Sequence, residues 1–316
     1  MNFNLTTSEY TPHFSGHESF HLRYGWLKKA YDEVKKTLDL GGDPVKTFTD
    51  DDAIARFGVG KNMVAAIRFW ATACGVLSYK DQKVGLGKLG TELIDDNGSD
   101  PYLEDPSSLW LIHWNLASNG KRTSYFWAFN YFNENSFTKR VMEKKLLGFA
   151  EQYGWKKPNH STVDKDLSVL LNTYTMAQKQ KKGSKEDSLT SPLSELGLLR
   201  QNVDDKDYHL GWGPKPSLSD EVFLFALLSF WEKFSGTNTL NVSSILLEPG
   251  SPGRIFLMDE NEMALRLMRI ELLTKGAFVW SETAGMKQIV RKKTFVQEDA
   301  WGLVTSNMTK LSLEVA

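Results

Sequence analysis

The sequence predicts a mainly α-helical chain with small β-hairpins, an α+β protein in which two winged helix-turn-helix-like modules are joined by a helical region. Three observations lead there. Between Thr47 and Ile94 a short helix, a glycine turn, an amphipathic helix and a two-stranded ribbon follow one another. Near the C-terminus, helices run into a basic hairpin, and three stretches with helical apolar spacing lie between the two modules.

Bulk figures set the bounds on this reading. A length of 316 residues is that of two or three domains. With 41% hydrophobic residues, 12% aromatics and a mean hydropathy of -0.37, the chain can bury substantial cores, which excludes wholesale disorder. A single cysteine, Cys74, excludes an intramolecular disulfide framework and cysteine-rich zinc sites. The longest apolar stretch, Val222 to Trp231, is too short for a membrane span and fits a buried helix. Met1 to Pro12 carries polar residues and Glu9 where a signal peptide needs a basic start and an apolar block, so a cytoplasmic location is expected. The 38 Lys+Arg balance 39 Asp+Glu to a net charge of -1, so any nucleic-acid contact must come from how charge is distributed.

In order along the chain, residues 1–46 form a region marked by a His/Glu motif. Residues 47–98 form the first winged module. There Asp50 to Asp52 are placed to cap a short helix through Phe57, and Gly58-Val-Gly60 makes a tight turn. From Lys61, the residues Met63, Ile67, Trp70 and Cys74 fall on one helical stripe that Gly75 ends, with Lys61, Ala65, Arg68 and Thr72 opposite. Leu77 to Tyr79 and Lys83 to Leu86 are expected to pair as a ribbon, with a further helix from Lys88. Residues 99–178 are a helical scaffold with helices at Asp105 to Leu116, Phe137 to Tyr153 and Ser161 to Ala177, the last opening on the capping-box-like Ser161-Thr-Val-Asp164. Residues 179–187 are a polar linker or loop without an apolar side chain. Residues 188–316 hold the second winged-helix-like module, with helices at Leu240 to Leu247 and Asp259 to Leu273. A hairpin of Ala277 to Trp280 and Gln288 to Val290 runs into Arg291-Lys-Lys293.

Chemistry concentrates in Phe14 to Trp26. His17-Glu18-Ser19-Phe20-His21 is an HExxH pattern, which on a helix would hold zinc between two imidazoles with the glutamate activating water. A zinc metalloprotease is therefore one reading, opposed by Ser15-Gly16 just upstream, by the short upstream chain and by the lack of a marked third ligand. The plainer reading is a helix capped by Ser15, with Glu18 closing a capping box. A third is a cluster in which His17, Glu18, His21 and Arg23 serve phosphodiester cleavage, Arg23 gripping the phosphate, with a metal or general base beside it.

For nucleic-acid contact the candidates are Lys61, Asn62 and Arg68 on the amphipathic helix, Lys83 on the ribbon, and Lys121 and Arg122. Lys287, Arg291, Lys292 and Lys293 follow at the C-terminal hairpin. Protein docking by the first winged module is the alternative. The aromatic run Tyr125 to Phe132 fits core better than base stacking. Cys74 is expected to be buried and inert. No phosphate-binding glycine loop, nucleophile elbow or kinase motif appears, so no nucleotide site is expected and ATP-driven chemistry would need another subunit.

Three segments carry a resemblance. Phe14 to Trp26, Arg56-Phe-Gly-Val-Gly-Lys-Asn-Met-Val-Ala-Ala-Ile-Arg-Phe-Trp70 and Ser188-Leu-Thr-Ser-Pro-Leu-Ser-Glu-Leu-Gly-Leu198 together resemble the SspB family of DNA nickases, from single-stranded DNA phosphorothioation and phage-defence systems. The resemblance implies a nicking endonuclease acting on double-stranded DNA beside a cysteine desulfurase, an ATP pyrophosphatase-like protein and an ATPase. Hydrolytic nicking implies a divalent metal, magnesium or manganese, whose ligands the sequence leaves unknown. It does not transfer catalytic residues; the assignment of His17, Glu18, His21 and Arg23 to cleavage rests on their chemistry. The alternative within the same system is a non-catalytic DNA-binding adaptor or transcriptional regulator.

Overall fold

The computed structural model describes residues 5–80, 83–176, 190–202, 207–283 and 285–315, with side chains described up to 309. Its N-terminal part is built on α1 (Trp26–Asp39), α2 (Ala53–Phe57) and α3 (Lys61–Ala73), followed by the antiparallel ribbon β1 (Leu77–Lys80) and β2 (Lys83–Leu86). Helix α1 buries Leu27, Ala30, Tyr31 and Val34 and packs against α3, which buries Val64, Ile67, Trp70 and Ala71. The expected order of helix, glycine turn, helix and ribbon is present, with Gly58 left-handed at φ 63°. One local expectation is corrected: Asp52 makes no capping bond from its side chain, and its carboxylate binds Arg56 one turn on, at 2.7 Å. The helix expected from Lys88 is present, starting at Lys88 and widening into a π turn at Gly90–Ile94, where a Cβ on Gly90 would sit 2.3 Å from the Val76 carbonyl oxygen.

The middle of the chain supplies α4 (Pro106–Ala117), α5 (Thr123–Asn130), β3 (Ser136–Phe137), α6 (Lys139–Gln152) and α7 (His160–Tyr174). All three expected helices are there. The start of α7 is corrected by one turn element: Asn159 caps it by accepting from the Ser161 N–H, and Asp164 pairs instead with Lys139 at 2.6 Å. The aromatic run is core, with Tyr125, Trp127, Phe129 and Phe132 buried. His113 is enclosed in the same core between the Tyr174 hydroxyl and the Ile255 carbonyl, and burial pushes its pKa down to about 4, so it is neutral at pH 7.

Strands β4 (Leu199–Gln201) and β5 (Tyr208–Leu210) join β3 in a small antiparallel sheet of order β3-β5-β4. Then come α8 (Asp220–Phe234), β6 (Thr239–Asn241), α9 (Val242–Leu247), α10 (Pro252–Ile255), α11 (Glu260–Leu273), β7 (Phe278–Thr283), β8 (Met286–Arg291) and α12 (Gln297–Val315). The expected hairpin forms with Trp280 opposite Ile289. Leu240, expected to open a helix, lies in β6, which adds a third strand in the order β6-β8-β7; the helix begins at Val242. Helix α12 packs along α8, with Trp301 against Phe225.

The buried side chains form one contiguous core reaching from Leu5 to Met308, with Trp70, Trp110, Trp114, Trp127 and Trp231 among its largest members. Among the described residues no helix is long and apolar enough to cross a membrane. The polar stretch at 179–187 lies outside the described residues.

Candidate nucleic-acid interface

Residues 14–25 are an irregular loop rather than a helix. Ser15, Gly16, Glu18 and Ser19 have φ of 75°, 100°, 49° and 69°, all left-handed, where an α-helix needs negative φ throughout. Both helical readings of this segment are thereby corrected: there is no Ser15–Glu18 capping box, and the HExxH pattern does not present its imidazoles one turn apart for zinc. The helix begins at Trp26.

Side chains from distant elements hold the loop in this shape. His17 is 2% exposed, and its Nε2 lies 2.6 Å from Oδ1 of Asp166 on α7. The Ser19 N–H donates to Nδ1 of the same ring at 3.2 Å, which assigns the proton to Nε2 and makes the imidazole donate to the carboxylate. Asp166, 4% exposed, also accepts the Ser15 N–H at 2.9 Å and the Ser124 hydroxyl from α5. Farther along, the Phe20 carbonyl accepts from Trp70 Nε1 of α3 at 3.0 Å, and the Tyr24 hydroxyl donates to Glu195 in the turn at Pro192–Leu196. The three sequence segments that carried the resemblance thus meet in space. Gly16 is needed where it is, because a Cβ there would lie 2.7 Å from the Phe69 ring.

Asp166, Ser124 and Glu195 were not singled out in the sequence. A signal for the first existed: Asp166 interrupts the apolar stripe Val163, Leu167, Leu170 and Tyr174 of α7, and a lone carboxylate on a buried stripe needs a partner.

Next to this loop opens a cleft of about 910 Å³. Lys61 and Arg68 of α3 line it together with Lys121 and Arg122, just before α5, and Gly16 forms part of its edge. Four of the basic candidates therefore share one surface, the face of α3 opposite its apolar stripe. Arg68 lies over the Tyr79 ring at 5.6 Å, and Arg122 over Phe69 at 4.7 Å. The Arg122 Nε is buried with no hydrogen-bond partner, and among the described residues no carboxylate forms an ion pair with it. Burial lowers its pKa while the charge of nearby Asp166 opposes that shift, and a guanidinium remains charged at pH 7, so the cleft carries a cation whose Nε has no hydrogen-bond partner. Asp50 and Asp51 are the carboxylates that line the same cleft.

The remaining candidates are placed elsewhere. Arg23 is 6% exposed, its guanidinium 5.6 Å from Phe20 and 5.4 Å from Trp26, with Nε unpartnered. His21 is half-buried in the loop and Glu18 is exposed. Asn62 and Lys83 are exposed but do not line the cleft. On the C-terminal sheet, Lys287 pairs with Glu260 at 2.9 Å and Arg291 lies over Trp231 at 4.8 Å, while Lys292 and Lys293 are exposed.

A magnesium or manganese ion needs hard oxygen ligands, usually one or two carboxylates completed by substrate phosphates and water. Among the described residues no group of three or more His, Cys, Asp or Glu side chains is arranged to hold an ion.

Residues 14–306 match the model of the family described as "Protein of unknown function (DUF4007)". No curated protein matches the chain. Two solved structures do. A magnesium ion-bound SspB crystal structure is 25% identical with a TM-score of 0.77, covering 95% of this chain and 98% of that one. A second SspB crystal structure, also at 25% identity and 0.77, covers 97% of this chain and 99% of that one.

Proposed function

Because the chain belongs to the DUF4007 family and shares its architecture with SspB, we propose that it is a DNA-binding protein that nicks one strand of duplex DNA within a phosphorothioation system used against phage. The observation that carries this reading is the cleft in which Lys61, Arg68, Lys121 and Arg122 converge, the Arg122 Nε buried without a hydrogen-bond partner. A phosphodiester backbone supplies the anions that such a set of cations attracts.

Two modules would place the duplex. Within 47–98, α3 presents Lys61, Asn62 and Arg68 at a glycine turn followed by the ribbon β1-β2, the order of a winged helix. Within 188–316, α8, β6, α9, α10 and α11 lead into the hairpin β7-β8, again helices before a hairpin, and Lys292 and Lys293 follow its end.

On the loop that reaches the cleft at Gly16, the exposed Glu18 is the carboxylate proposed to act as general base. It takes a proton from the water whose oxygen bonds to phosphorus, the P–O bond to one sugar breaks, and the departing alkoxide takes a proton from solvent water, leaving one nick. His17 is a positioning residue, since both ring nitrogens are engaged. Arg23 and His21 complete the cluster proposed for phosphate contact. Magnesium or manganese is the proposed cofactor, and a cysteine desulfurase, an ATP pyrophosphatase-like protein and an ATPase are the proposed partners.

A second reading is favoured by the engaged nitrogens of His17 and by the lack of a preformed metal set among the described residues: a DNA-binding adaptor or regulator that does not cut. Incubating supercoiled plasmid with the purified chain and magnesium or manganese decides between them. Relaxation that is lost in Glu18→Ala supports the nickase. Salt-sensitive DNA binding without relaxation under either metal supports the adaptor.

A further inference from the structure

Beside the cationic cleft lies a second recess of about 770 Å³, which shares Thr72, Asn119 and Lys121 with it, so the two form one continuous groove. The character of the groove changes along its length. Its first part is cationic; its second is walled by the aromatic rings Phe230 and Phe234 and by Lys233, Asn115 and Glu248. Phe230 and Phe234 are stacked with centroids 4.8 Å apart and an interplanar angle of 23°. Phe230 is 4% exposed and Phe234 41%, so the stack ends in an accessible residue. Lys233 forms no ion pair among the described residues.

We propose that this recess receives an unpaired nucleobase of the DNA strand held in the cleft. The inference rests on the DNA-binding reading of that cleft and names the form of DNA the site takes. A fully paired duplex buries both faces of every base and would leave the Phe234 ring without a partner, whereas an unstacked base supplies a flat ring to cover it. Lys121, at the junction, and Lys233, at the recess wall, are spaced along the groove as cations for the phosphates on either side of that base. Glu248 accepts hydrogen bonds only, so its carboxylate suits the exocyclic amine of cytosine or adenine and opposes the carbonyl edge of thymine. The volume lies within the range of about 300–1,000 Å³ usual for small-ligand sites.

The test compares binding of the full-length chain, by fluorescence anisotropy, to two labelled duplexes of one sequence, one fully paired and one with a single extra unpaired adenine or cytosine. The wild-type protein is expected to bind the bulged duplex more tightly. Phe234→Ala should cut that preference roughly 5- to 150-fold, the range for loss of one base–aromatic stack, and Phe234→Trp should retain it. Phe234 is at the exposed end of α8, so these changes leave the core intact. Equal affinity of the wild-type protein for the two duplexes, or an undiminished preference in Phe234→Ala, overturns the proposal while leaving the DNA reading of the cleft in place. Binding to neither duplex overturns both.

Discussion

His17 and Asp166, 149 positions apart in the chain, lie 2.6 Å apart with both side chains out of solvent, and their hydrogen bond closes the loop at 14–25 onto α7. Removing the imidazole leaves a buried carboxylate short of one donor. His17→Ala and Asp166→Asn, which keeps an acceptor, are each expected to destabilise the fold by about 1–3 kcal/mol. Urea unfolding of the two variants measures this. A His17→Ala protein of unchanged stability but without nicking activity would make the imidazole a catalytic group and contradict its role as a latch.

The cleft cations should report themselves through salt. Each phosphate contact removed lowers the slope of log affinity against log salt by about 0.9 on duplex DNA. Lys61→Ala and Arg68→Ala, both at accessible positions on α3, are expected to show that decrease and to weaken binding to all sequences alike. Unchanged slopes would move the DNA contact to the second module, where Lys292→Ala and Lys293→Ala are the corresponding changes.

Lys215 predicts a pH dependence of stability. It is 4% exposed, its Nζ donates to the carbonyls of Gly211, Gly213 and Leu257, and burial lowers its pKa to about 8 from the ordinary 10.5. Between those values the unfolded chain binds the proton and the folded chain does not, so this group adds stability as pH rises from 8 toward 10.5, by about 3 kcal/mol at most. Lys215→Met removes the proton-binding group. Urea midpoints taken across that window should climb less steeply for the variant than for the wild type, and parallel curves would refute the assignment.

Cys74 is fully buried, and desolvation pushes its thiol up to about 12. The native protein is expected to resist a thiol reagent at pH 8 and to react with one equivalent after unfolding in urea. Rapid reaction of the folded protein would show that α3 opens at its C-terminal end.

Much of this architecture was legible in the sequence. The α3 stripe placed Ile67, Trp70 and Cys74 inward as found, with Met63 only half-buried, and left Lys61 and Arg68 on the accessible side, because helical spacing fixes the face a side chain occupies. Glycines at 58, 60 and 75 marked turns that the structure contains. The loop at 14–25 was misread because Ser-x-x-Glu and HExxH are local patterns, whereas its shape is imposed by Asp166, Trp70 and Glu195, which lie far along the chain. Strand β6 escaped notice for a similar reason: three residues carry no periodicity, and only pairing with β8 makes Leu240 part of a sheet. Lys121 and Arg122 were visible as a basic pair, but their meeting with Lys61 and Arg68 depends on how α5 packs near α3.

The Phe69 ring touches both the loop and the cleft. One side meets the edge of His17, with centroids 5.5 Å apart and planes at 89°, and the ring also carries the guanidinium of Arg122 at 4.7 Å. It fills the space that a side chain at position 16 would need. A single benzene ring is thus all that separates the buried latch of the loop carrying Glu18 from the guanidinium on the cleft wall.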